Sequence, residues 1–136
     1  MKKKKGLKIF GIVFGVFVLV IAVMMISLFV QSGKEMKKLH YADVNMEEVA
    51  DGTYEGIAET SVVQATVEVT VADKKIQDIR LIRHNNGMGA KAESILKDMI
   101  ADNTYEVDSV SGATMSSEVI KSAVSDALAK GVPKND

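Results

Sequence analysis

The sequence predicts an α+β fold: a small antiparallel sheet packed against two helices, preceded by one N-terminal transmembrane helix. Three observations predict it. Ile9 to Val30 runs 22 residues without a charge. Two segments further on, 62–71 and 76–83, carry the period of strands. Two later ones, 90–101 and 116–130, carry apolar residues at helical spacing.

In order along the chain, residues 1–8 form a lysine-rich start. At 1.5 Å per residue, the uncharged run 9–30 spans about 30 Å, the thickness of a bilayer core. The apolar region of a cleaved signal peptide is about 7–15 residues long, so this run is too long for one. Val30-Gln31-Ser32 still reads as a weak cleavage site, and cleavage stays as the lesser alternative. Lys2, Lys3, Lys4, Lys5 and Lys8 precede the span. Lys34, Lys37 and Lys38 follow it, offset by Glu35. That asymmetry predicts a single pass in the cell membrane, with a cytoplasmic N-terminus and an extracytoplasmic remainder. Residues 31–50 are polar, mixed in charge and without sustained periodicity. They read as a linker, partly helical around Asn45 to Ala50, that holds the domain near the membrane while letting it move.

The domain is expected over residues 51–133. Asp51-Gly52 opens a turn, and Thr53 to Ala58 reads as a first strand. In 62–71, Val67, Val69 and Val71 face one way and Thr66, Glu68 and Thr70 the other, the pattern of a half-buried strand. Ala72-Asp73-Lys74-Lys75 supplies a turn to a strand over 76–83, the two making an antiparallel hairpin. The Ile76-to-Ile79 spacing breaks strict alternation and points to a β-bulge. Ala92, Ile95, Leu96, Met99 and Ile100 form one stripe of a helix over 90–101, which Asp102-Asn103-Thr104 ends. Tyr105 to Asp108 reads as a short strand. Val119, Ile120, Ala123, Val124, Ala127 and Leu128 form the core face of the last helix, 116–130, which Gly131 and Pro133 terminate.

Composition excludes several functions. There are no cysteines, hence no disulfide, thiolate metal site, Cys nucleophile or lipid-modified N-terminal Cys. Beyond residue 30 the chain has 12 basic and 18 acidic residues, a net of −6, which speaks against nucleic-acid binding. The domain proper has one histidine, His84, and no clustered carboxylates, so no metal site is expected.

Two loops stand out. Asp108-Ser109-Val110-Ser111-Gly112-Ala113-Thr114 is small, hydroxyl-rich and set directly before a helix. Gly112 takes φ > 0 at little cost. Thr114 is expected at or near the N-cap, where free backbone N–H groups and the helix dipole favour negative charge, a phosphate included. The ordinary reading of Ser, Thr and Asp before a helix is a cap. His84-Asn85-Asn86-Gly87-Met88-Gly89 is the second loop. Its ordinary reading is a strand-to-helix connection with Asn and Gly as turn formers and a surface His84.

Asp108-x-x-Ser111-Gly112-Ala113-Thr114 resembles the flavinylation motif of the FMN-binding domain family. That family includes the periplasmic subunits of the sodium-pumping NADH:quinone oxidoreductase and of Rnf complexes. The resemblance runs from about Asp51 to Lys130, and Asp51-Gly52-Thr53-Tyr54-Glu55-Gly56 is similar to the start of the family's domain. It implies FMN joined to Thr114 by a phosphoester, placed by a dedicated flavin transferase, with Asp108, Ser111, Gly112 and Ala113 completing the motif. It also implies that His84, Gly87, Met88 and Gly89 lie in a loop close to the flavin ring. Asn85-Asn86 here departs from the family's usual Glu-Thr-Pro before the first Gly.

The resemblance implies a membrane-anchored electron carrier rather than an enzyme, with no catalytic residues of its own. It would pass electrons from a quinol- or NADH-linked membrane donor to an external acceptor or a partner flavoprotein. The composition agrees. The domain has no Trp and no Phe, and Tyr41, Tyr54 and Tyr105 are the only aromatics beyond the span. That is little material for a stacking pocket, and a covalent tether removes the need for one. The alternative is a non-covalent ligand-binding or sensing module of the same fold without redox activity.

Overall fold

The computed structural model describes residues 2–85 and 89–134. The chain divides into two compact units, Met1–Lys34 and Glu35–Asp136. The first is one helix. This helix, α1 (Lys2–Met36), is long and apolar enough to cross a membrane. Its apolar side chains, Phe10, Phe14, Phe17 and Phe29 among them, are exposed all round, an arrangement that water disfavours and lipid does not. The helix outlasts the apolar run: Gln31 to Met36 prolong it, and Ser32 Oγ donates to the Leu28 carbonyl at 3.0 Å.

In the second unit, β1 (Gly52–Glu59), β2 (Gln64–Ala72) and β3 (Lys75–Asn85) form an antiparallel sheet in that order. Ala65, Val67, Val69 and Val71 of β2 are buried, and the residues between them are not. The β2–β3 turn is Asp73-Lys74, both left-handed (φ 53° and 62°), the sense whose twist matches the strands. The register slips twice. Thr70 faces Asp78 and Val71 faces Ile76, leaving Gln77 as the bulge that the Ile76–Ile79 spacing predicts. Thr66 faces Arg83 and Val67 faces Leu81, leaving Ile82 over in a second bulge. The third strand also runs two residues past its expected end and takes in His84 and Asn85, which pair with Ala65 and Gln64.

The helix expected over 90–101 is a 3₁₀ turn, Gly89–Ser94, followed by α2 (Ile95–Asp102). The buried residues Ala92, Ile95 and Met99 follow suit, stepping by three through the 3₁₀ turn and by four through the α-helix. Asn103 closes α2 in the left-handed conformation (φ 54°). Its side chain accepts from Ile76 N at 2.8 Å and donates to the Lys74 carbonyl at 3.1 Å, tying that end to the hairpin. Residues Tyr105 to Asp108 are not the strand the sequence suggests. Their backbone is satisfied locally, Glu106 N by Thr104 Oγ1 at 3.0 Å and Val107 N by the Tyr105 carbonyl at 2.9 Å, while Tyr105 and Val107 bury their side chains.

The last helix, α3 (Thr114–Gly131), is buried on two sides. One side lies on the sheet. Its Asp126 accepts from Ile57 N at 3.0 Å and Lys130 donates to the Glu55 carbonyl at 2.6 Å, so helix side chains cap the open edge of β1. The other side is covered by residues 39–50, read from the sequence as a mobile linker. They form a strap. Leu39, Tyr41, Val44 and Met46 pack against the core and Val49 is buried. Ser122 Oγ donates to the His40 carbonyl (2.5 Å), Ala42 N to Ser125 Oγ (3.3 Å), Tyr105 OH to the Ala42 carbonyl (2.8 Å) and Ala50 N to the Gly131 carbonyl (2.9 Å). The partly helical stretch expected around Asn45 to Ala50 is the 3₁₀ segment Met46–Glu48.

Gly56 sets the approach of β1 to α3. A Cβ there would lie 1.9 Å from the Ala123 carbonyl oxygen and 2.6 Å from Ala127 N, so backbone would have to move. Gly56→Ala should destabilise the domain by about 2–4 kcal/mol, measured by denaturant titration. A loss below about 1 kcal/mol would contradict this packing.

Candidate functional site

The hydroxyl-rich loop is a tight turn held from inside. The Val110 carbonyl accepts from Ala113 N at 2.9 Å, closing a four-residue turn with Gly112 third at φ 81°. A type II turn requires that conformation, and glycine reaches it without strain. Ser117, fully buried one turn into α3, accepts from Val110 N at 3.0 Å and donates to the Ala113 carbonyl at 2.8 Å.

This geometry changes the role of Thr114. The N-cap is Ala113, whose side chain makes no capping bond, and Thr114 is the first helical residue. Its side chain is therefore not the ordinary cap. Thr114 is exposed, as are Asp108, Ser111 and Gly112, while Ala113 is buried. The amides that open α3 receive no capping side chain from Ala113, so the positive end of the helix dipole lies at the first turn, where Thr114 is exposed. Nothing stands within 4 Å of a Cβ placed on Gly112. There is room against the turn for a bulky substituent, and an anionic one suits the helix end. The site fits a phosphate-bearing group on Thr114.

One turn along the same face, Glu118 gathers three donors. Ser109 Oγ and Lys121 Nζ (3.2 Å) donate to Oε1, and Tyr41 OH donates to Oε2 at 2.5 Å. Burial alone would raise its pKa. The bonds from Ser109, Tyr41 and Lys121 outweigh burial and hold the carboxyl below its ordinary value. The Tyr41 phenol moves the other way, raised first by burial and then by the facing carboxylate. Tyr41 stacks on Tyr105, ring centroids 6.3 Å apart. Together with Asp108, Glu106, Val107, Glu118 and Lys121 they line an open cleft of about 420 Å³.

His84 and Asn85, which open the second loop, and Gly89, which closes it, share this end of the domain. Thr60, in the β1–β2 connection, donates to Met115 Sδ at 3.8 Å, and His84 and Asn85 pair with the start of β2. The 3₁₀ turn that begins at Gly89 packs against α3. His84 is not a surface side chain: its ring is 3% exposed, and Nδ1 lies 3.2 Å from Glu93 Oε1. Gly87 and Met88, with Asn86, lie outside the described residues. The turn and the His84 strand end thus come to one end of the sandwich. Sequence reading gave Ser117, Glu118, Ser109, Lys121 and Tyr41 no role at the site, although Ser109 stands in the loop it singled out. The available signal was the four serines of α3, interleaved with the Val, Ile and Ala of its core face.

Residues 63–129 match the family model of the FMN-binding domain. The match takes in β2, β3, α2, the turn and nearly all of α3. It starts after β1, so the Asp51–Gly56 wording lies outside it. No curated protein matches the chain.

Glu118 gives the site a pH signature. A carboxyl whose folded pKa is depressed contributes stability above its unfolded pKa and loses it as pH falls through the folded one. The thermal midpoint of the full chain in detergent should fall on acidification from about pH 5 to about pH 3, and Glu118→Gln should make that fall shallower. Equal slopes in the two proteins would contradict the carboxylate's role.

Proposed function

Residues 63–129 form a domain of the FMN-binding domain family, and on that premise we propose that the protein is a membrane-anchored extracytoplasmic electron carrier with FMN joined to Thr114 by a phosphoester. The observation that carries this reading is the placement of Thr114: exposed, inside the first turn of α3, and freed from capping because Ala113 holds the N-cap. A threonine serving the helix would sit one residue earlier and turn its oxygen inward.

An unaided alcohol is a weak nucleophile, so a flavin transferase supplies the base. The Thr114 Oγ1–P bond forms as the phosphate's bond to its leaving group in the flavin donor breaks, and the hydroxyl proton goes to the transferase. The chain's own part is to present the oxygen. Gly112 and Ala113 keep bulk away from it, and the amides at the start of α3 face the phosphate charge. When bound, the isoalloxazine ring supplies one- and two-electron redox chemistry. The tether keeps it at high effective concentration even in a shallow pocket and prevents its loss by dilution. Asp108, Ser111, His84, Gly87, Met88 and Gly89 are the further residues assigned to the flavin side of the domain. Donor and acceptor are redox partner proteins, the donor quinol- or NADH-linked. Residues 9–30 cross the membrane with the lysine-rich end in the cytoplasm, as the charge asymmetry supports.

A second reading is a non-covalent ligand-binding or sensing module, and the open cleft beside Asp108 favours it. One experiment separates the two. Co-expressed with a flavin transferase, the chain should show flavin fluorescence that survives a denaturing gel. Thr114→Ala and Thr114→Asn should lose it, and Thr114→Ser should keep part. Flavin that leaves the chain on denaturation favours the second reading, and a Thr114→Ala protein as fluorescent as the parent contradicts the first. The orientation has its own test, because the chain has no cysteine. In intact cells Lys134→Cys should react with a membrane-impermeant maleimide, and labelling only after lysis would reverse the orientation.

A further inference from the structure

We propose that Ser117 is the positioning residue for flavin attachment. The inference rests on Thr114 as acceptor and adds to it a group that sets where the acceptor oxygen stands. The Ser117 hydroxyl bonds both ends of the turn at once: Val110 N donates to it at 3.0 Å, and it donates to the Ala113 carbonyl at 2.8 Å. Ala113 N closes on the Val110 carbonyl, and Ser117 N also donates to the Ala113 carbonyl, at 3.0 Å. The segment 110–113 is thereby locked into a loop whose two ends meet on one oxygen, fully buried from solvent. Thr114 follows directly, so its position is fixed by that oxygen and by the helix behind it.

A short hydroxyl is required for this. Alanine keeps the volume and loses both bonds, leaving Val110 N and the second lone pair of the Ala113 carbonyl unpaired. Glu118 holds the outer part of the same loop through Ser109 and shares its carboxylate with Tyr41 of the strap. Ser117 is the inner hold, and it touches the two residues that bound the turn. Attachment needs the Thr114 oxygen in line with a phosphorus atom bound to a separate enzyme. Loosening the turn spreads that oxygen over many positions and lowers the rate without removing the nucleophile.

Ser125 makes the control. It is equally buried on α3, donates to the Ser122 carbonyl at 2.9 Å and accepts from Ala42 N, away from the turn. The test measures the initial rate of covalent flavin attachment on the full chain in detergent, with purified flavin transferase and its flavin donor, well below each variant's thermal midpoint. Ser117→Ala should slow attachment roughly tenfold, Ser125→Ala by less than about twofold, and Ser117→Thr should recover most of the rate. A Ser117→Ala rate equal to the parent's, or slowed no more than that of Ser125→Ala, overturns the proposal. Absence of attachment to the parent chain overturns instead the Thr114 reading on which it rests. Should Ser117→Ala not fold, amide exchange on the parent decides. The Val110 N–H should exchange far more slowly than the neighbouring Ser111 and Gly112 amides, and equal rates overturn the proposal.

Discussion

The domain depends on one helix being buried along two opposite sides. Helix α3 lies against the sheet through the gap that Gly56 leaves, close enough that a single methyl would meet backbone. Its far side is closed by the strap, whose backbone is held by Ser122 and Ser125 and by Tyr105. A helix fixed this way cannot shift along or turn about its axis without breaking one packing or the other. Its first turn, where Thr114 sits, is therefore presented at a set place on a rigid element.

At that first turn the chain breaks a local rule. Ser, Thr, Asn or Asp at the N-cap is worth about 1 kcal/mol to a helix, and Ser109, Ser111, Thr114, Ser116 and Ser117 all stand nearby. The cap position nevertheless goes to Ala113. Part of the loss is offset by Ser117, which binds the turn from within. Departures of this kind concentrate where function needs them. Here the effect is to leave an exposed threonine at the first helical position, its side chain not used as the cap.

Much of this was legible beforehand. The alternation of 66–71, the bulge between Ile76 and Ile79, the left-handed Gly112 and the apolar face of α3 all reflect local spacing, which a linear sequence carries. The wording of 108–114 led to Thr114. The strap was not legible: Leu39, Tyr41, Val44, Met46 and Val49 follow neither a strand nor a helix period, because they pack against another element's side chains rather than in a ladder of their own. The same cause hid Ser117 and Glu118. A pattern search looks for one apolar stripe, and α3 buries a second face with serines that bond backbone from elsewhere in the fold. His84 read as loop because a histidine at a strand end has no periodic signature. The register with Ala65 and the bond to Glu93 place it.

The account turns on a covalent bond at one side-chain oxygen, and mass reports that bond directly. Denaturing intact-mass spectrometry of the protein purified from its own membrane, followed by fragmentation of the peptide containing the turn, should find one FMN less one water, localised to Thr114. A chain that weighs only what its residues add up to, or an adduct on any other residue, would contradict the account.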